Sequence, residues 1–123
     1  MQNKPFRFGP VALTNAAANY LNPGTTTGGV NASAAPYDKT RIILTHIRVV
    51  NKTAAAHTVS LYIGATGGSA AGTEFAFNAT SIPANSYVDW YGRMPLDTVD
   101  FLTGLADANT ALTIEGEGEI GIA

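Results

Sequence analysis

From Leu112 to Ala123 the chain alternates without a break. Even positions read Leu112, Ile114, Gly116, Gly118, Ile120 and Ile122; odd positions read Thr113, Glu115, Glu117, Glu119, Gly121 and Ala123. A side-chain period of two belongs to a β-strand with one dry face and one wet face. The pattern runs to the final residue, which predicts that the C-terminal end is held in a sheet. The strand implies an architecture but by itself carries no chemistry.

Composition narrows the function classes. A chain of 123 residues is one domain, large enough to bury a core without metal or disulfide staples. With no cysteine, thiolate catalysis, zinc–thiolate sites and disulfide frameworks are all excluded, and the redox compartment stays open. No apolar run follows a basic N-terminal region, and no stretch approaches the ~18 apolar residues of a membrane span, so the expectation is a soluble protein made without secretion or membrane signals. Charged residues are only 13%, which suits a surface partly covered by partners.

The charges are also divided along the chain. Residues 1–60 carry Lys4, Arg7, Lys39, Arg41, Arg48 and Lys52 against Asp38 alone. Residues 61–123 carry Arg93 against Glu74, Asp89, Asp97, Asp100, Asp107, Glu115, Glu117 and Glu119. Two readings are open: basic and acidic strands pair within the domain, or opposed charged faces pack head-to-tail between molecules. Six scattered cations do not make a nucleic-acid-binding surface.

No segment predicts a helix, because the alanine-rich pieces at 15–19 and 53–56 are too short to nucleate one. Phe6–Thr14 reads as extended, with Phe6 and Phe8 of one parity and Pro10 confining the segment to a sheet edge. Residues 22–36, dominated by Thr, Gly, Ala, Ser and Asn, read as a long loop. Residues 1–38 are therefore expected to form an extended N-terminal arm and loop, and 39–123 the β-domain. Arg41–Asn51 is a long strand with Ile43, Thr45, Ile47 and Val49 on one face and Leu44, His46, Arg48 and Val50 on the other. After a turn at Asn51–His57, the strand His57–Ile63 turns Val59, Leu61 and Ile63 inward, and the two strands read as a hairpin. Glu74–Asn78, Tyr87–Tyr91 and Val99–Leu105 complete the set. Short strands, frequent turns and no helices predict an all-β fold, a single jelly-roll-like β-sandwich.

No motif carries catalysis. Carboxylates at Glu115, Glu117 and Glu119 stand ~6.5–7 Å apart along the strand, too wide for one metal ion to take adjacent members unaided. The row reads as a solvated face, or as one pairing with Arg41, Arg48 or Lys52; a calcium site completed by Asp97, Asp100 or Asp107 is the rarer alternative. His46 and His57 lack metal-ligand spacing, and no Gly-x-Ser-x-Gly elbow occurs. The glycine-rich run at 64–72 lacks the Gly-Lys-Ser/Thr ending of a phosphate loop. Tyr87, Trp90 and Tyr91 form the aromatic cluster; alternation sends Trp90 to the core side and the two tyrosines outward, where with Asp89 they offer a sugar-binding alternative. The sequons at Asn31, Asn51 and Asn78 are read as chance. The expectation is a non-enzyme with no cofactor.

The segments Thr45–Thr53, Thr58–Gly64, Ile82–Ser86 and Leu112–Ile120 resemble the pattern of small structural proteins of tailed bacteriophages, in which such strands lead to a proline turn and a closing C-terminal strand. The resemblance covers roughly residues 40–123. It implies a virion component, most like a head decoration protein that stabilises the capsid between capsomers; a tail, baseplate or fibre-associated module is the alternative. Implied partners are the major capsid protein and further copies in a homotrimer, with no nucleic acid or membrane. The implied location is the outer surface of the head, after synthesis in the host cytoplasm. The interface candidates are Phe6, Arg7, Phe8, Tyr20 and Tyr37 on the arm, and Tyr87, Tyr91, Glu115, Glu117 and Glu119 on the domain. The arm is expected to clamp neighbouring subunits, and its first 20 residues to be removable with the sandwich still folded.

Overall fold

The computed structural model describes residues 4–23, 40–64, 68–97 and 100–122. Alternating apolar residues build eight strands: β1 (Lys4–Ala12), β2 (Ala18–Leu21), β3 (Thr40–Asn51), β4 (His57–Gly64), β5 (Thr80–Ile82), β6 (Ser86–Leu96), β7 (Phe101–Ala106) and β8 (Leu112–Ile122). They form two four-stranded antiparallel sheets, β1-β8-β3-β6 and β2-β7-β4-β5. The all-β sandwich expected from the alternation is the observed fold.

The pairing follows one plan. First pairs with last, β1 with β8, then β2 with β7, β3 with β6 and β4 with β5; the contacts β3–β8 and β4–β7 roll this long hairpin into two sheets. Every ladder therefore joins a strand from the first half of the chain to one from the second. The divided charges follow from this topology. Basic strands lie beside acidic ones, as in Arg41–Asp97 (3.4 Å) and Arg48–Asp89 (2.8 Å). Of the two readings of the charge pattern, these pairs realise the intramolecular one.

Between the sheets lies one apolar core. Leu13, Ile42, Leu44, Ile47, Leu61, Ile82, Leu96, Leu102, Leu112 and Ile114 are fully buried, each stabilising the fold by roughly 1.5–3 kcal/mol. In β8 the alternation holds as expected, with Leu112, Ile114 and Ile120 buried. Its two mid-strand glycines face phenylalanines across the ladder, Gly118 pairing with Phe6 and Gly116 with Phe8. A Cβ at Gly116 would collide with the Phe8 ring, so the glycine makes the space that the aromatic side chain fills.

Several expectations are corrected. First, β3 changes face part-way. Thr45 has no partner on β8 and opposes the Gly92–Arg93 step of β6. This bulge turns Ile42 and Leu44 inward with Ile47 and Val49, and puts Ile43 on the outer face. Second, β3 and β4 are not a hairpin: they belong to different sheets, and Asn51–His57 crosses between them. Asn51, fully buried, holds this crossing. Its Nδ2 donates to the carbonyls of Ala55 (2.8 Å), Ile82 (3.0 Å) and Pro83 (3.2 Å), and its Oδ1 accepts from Thr53 N (2.9 Å) and Thr53 Oγ1 (2.7 Å). The segment around 74–78 docks on β4 as an irregular stretch, interrupted by Ala76 (φ 63°) and Ala79 (φ 51°).

Third, the described part of residues 1–38 is not an arm. β1 is an edge strand of the first sheet, as Pro10 suggested, and β2 an edge strand of the second. Phe6, Phe8, Leu13 and Leu21 all enter the core. Residues 24–39 lie outside the described residues. Deleting residues 1–20 is thus expected to abolish the cooperative thermal transition, because three of these four side chains and an entire ladder along β8 are lost; a truncated chain that melts like the full one would contradict this placement.

Candidate functional site

The outer face of the first sheet collects the polar side chains that β8, β3 and β6 turn away from the core. Register sets it out in rows. Arg7, Glu117, His46 and Tyr91 lie side by side across β1, β8, β3 and β6, and beside them run Glu115, Arg48 and Asp89.

At its centre is a network of charged groups. Arg48 Nε donates to Asp89 Oδ1 (2.8 Å) and its terminal nitrogen to Oδ2 (3.2 Å), a two-pronged pair. His46 lies between two carboxylates, with Nε2 at 2.8 Å from Asp89 Oδ1 and Nδ1 at 3.1 Å from Glu117 Oε1. A neutral imidazole donates to one of them and an imidazolium to both. Two tyrosines flank the network. Tyr91 stacks on the His46 ring, with centroids 4.5 Å apart and planes 11° from parallel, and the Arg48 guanidinium carbon lies 4.4 Å from the Tyr87 ring centroid. A groove of about 440 Å3 runs over β8, walled by Arg7 on one side and His46 and Arg48 on the other.

Hydrogen bonds from Arg48 hold the Asp89 carboxyl below its ordinary value of 3.8; burial opposes them and His46 adds to them. The same pairing raises the Arg48 guanidinium. A carboxyl depressed in the folded state adds stability that is complete above its unfolded value and is lost as pH falls through the lower, folded one. Urea midpoints measured from about pH 6 down to pH 2 should therefore fall steeply at the acid end, and less steeply in Asp89→Asn. Parallel acid limbs in the two proteins would remove Asp89 from the account.

Six of the ten interface candidates, Arg7, Tyr87, Tyr91, Glu115, Glu117 and Glu119, share this face. Phe6 and Phe8 do not; they are core residues, because β1 turns its even positions inward up to Gly9–Pro10. Tyr20 packs against the core from β2, its hydroxyl accepting from Thr14 N at 3.3 Å. Tyr37 lies outside the described residues. Trp90 points to the core side and meets Phe75 edge-on at 4.8 Å.

No family model, curated protein or solved structure matches this chain. Its function has to be argued from the face itself. Among the described residues, no three His, Asp or Glu side chains are placed to hold a metal ion, and the side-chain hydrogen-bond partners of both histidines are carboxylates. The arrangement is a preorganised surface of paired charges and fixed rings, suited to recognition. Alternation places His46 and Arg48 on one face of β3 and Asp89 on a face of another strand, but their union depends on the β3–β6 register, which no local pattern carries.

Proposed function

We propose that this chain is a non-enzymatic structural protein of a tailed-phage virion, which decorates the head and stabilises it by binding between capsomers. The observation that carries this reading is the outer face of the first sheet. It gathers charged and aromatic side chains on a rigid support, and among the described residues Arg7, Glu115 and Glu119 make no ion pair there. Unpaired charges of both signs on one face complement a second charged surface and steer its approach.

The strand order β1-β8-β3-β6 and β2-β7-β4-β5 reads as a jelly roll, an architecture that recurs in viral capsid and lectin domains. That likeness is one of fold only. The sequence resemblance to small phage structural proteins supports the same function. The partners are the major capsid protein and further copies of the chain in a homotrimer, on the outer surface of the head. The clamping role given to an N-terminal arm passes to this face, since β1 and β2 belong to the sandwich. Repeated over a lattice, modest contacts at each copy sum to firm attachment.

Purified capsids lacking the protein provide the test. The wild-type chain should fill them, and Glu115→Lys combined with Glu119→Lys should empty them while leaving the thermal midpoint in place. Equal occupancy by wild type and the double variant would count against the face.

A further inference from the structure

We propose that Tyr87 and Tyr91 form a two-ring stacking site for a neutral oligosaccharide along the free edge of β6. Strand β6 pairs with β3 on one side, and among the described strands none pairs with its other side. The two tyrosines share its outer face, 53% and 69% exposed, and stand about 13 Å apart at ~3.3 Å per residue.

Their orientation decides what they can hold. Tyr91 and His46 are direct cross-strand partners, and their 4.5 Å ring separation is close to the ~4.8 Å between neighbouring strands. The rings therefore stand side by side across the strands, so the second face of Tyr91 turns away from His46, past the edge of the sheet. Tyr87 covers Arg48 with one face and likewise keeps its other face away from the guanidinium. Each ring is already held by its neighbour, so a ligand stacking on it loses little further side-chain freedom.

The chemistry around the rings selects the ligand. A pyranose offers an apolar C–H face for stacking and a rim of hydroxyls for hydrogen bonds. Asp89, between the tyrosines, is held by both Arg48 and His46, so the carboxylate nearest the rings is matched by a guanidinium and does not face a ligand as a free charge. Such a surface favours an uncharged, hydroxyl-rich ligand over an ion.

The isolated chain, without capsids, tests this independently of the virion reading. On printed neutral hexose and N-acetylhexosamine oligosaccharides, the wild-type protein should be retained by at least one class. Tyr91→Ala and Tyr87→Ala should each weaken that binding about tenfold, with a cooperative thermal transition kept and its midpoint little changed, because both rings are more than half exposed. Tyr91→Phe should keep the binding, since it keeps the stacking plane. Absence of retention by the folded wild-type chain would overturn the proposal, as would retention unchanged in both alanine variants. Self-association abolished by Tyr91→Ala, with no glycan bound, would assign the edge to a second copy of the chain and overturn it equally.

Discussion

Gly118→Val is expected to prevent the native sandwich from forming, and Gly118→Ala to cost about 3 kcal/mol, the upper end of ordinary overpacking penalties. A Cβ at this position falls on the carbonyl oxygen of Ile43, with Leu44 Cα 3.0 Å away. Both belong to β3 immediately before its bulge, where β8 and β6 hold the strand from either side. Backbone fixed by two ladders cannot withdraw as a side-chain tip can. Gly116→Ala makes the useful contrast, because its Cβ meets the Phe8 ring, a group that can turn or be shortened. Its cost should be smaller and partly recovered by Phe8→Leu, a coupling that a double-mutant cycle in urea would read. A Gly118→Ala protein with the wild-type urea midpoint would mean that β3 and β8 are not packed in this register.

The second large effect is expected at Asn51. Asn51→Ala removes, from a fully buried position, the side-chain contacts to the Ala55, Ile82 and Pro83 carbonyls and to Thr53 N and Oγ1, and of these partners the Ile82 carbonyl is left at a buried site. At about 1 kcal/mol net per bond, with a further penalty where a buried group stays unsatisfied, the loss should be on the order of 3–5 kcal/mol. Asn51→Asp should be at least as damaging, because it turns an acceptor toward three carbonyl oxygens. Equilibrium unfolding measures both. A loss below about 1 kcal/mol for Asn51→Ala would show that the crossing from β3 to β4 is fixed by something else.

Much of the fold was legible because alternation is a local signal. The inward and outward faces of β8 and the burial of Val59 and Leu61 follow from residues two apart, and the edge position of β1 from the N–H that Pro10 lacks. The errors arose where non-local pairing decides. In Ile42-Ile43-Leu44 every residue is apolar, so nothing in β3 marks the bulge at Thr45; the hint lies across the ladder, in Gly92. Parity also cannot assign a strand to a sheet, so the Asn51–His57 crossing looked like a hairpin turn. The one local sign was a lone asparagine closing an apolar strand. Phe6 and Phe8 were visible as a pair, but their ladder partners Gly118 and Gly116, the latter making the space that Phe8 fills, lie at the other end of the chain. The same limit applies at the site. Tyr87, Tyr91 and the glutamate row could be placed outward one strand at a time, whereas the His46–Asp89–Arg48 network exists only once β3 and β6 are aligned.

The proposed role of this sandwich is to decorate the phage head. The most direct measurement is electron cryo-microscopy of purified particles with the chain labelled, together with its copy number per particle by quantitative mass spectrometry. Label should be spread over the outer surface of the head, in numbers set by the capsid lattice. Label confined to the tail, in numbers set by tail symmetry, or absent from the particle altogether, would contradict it.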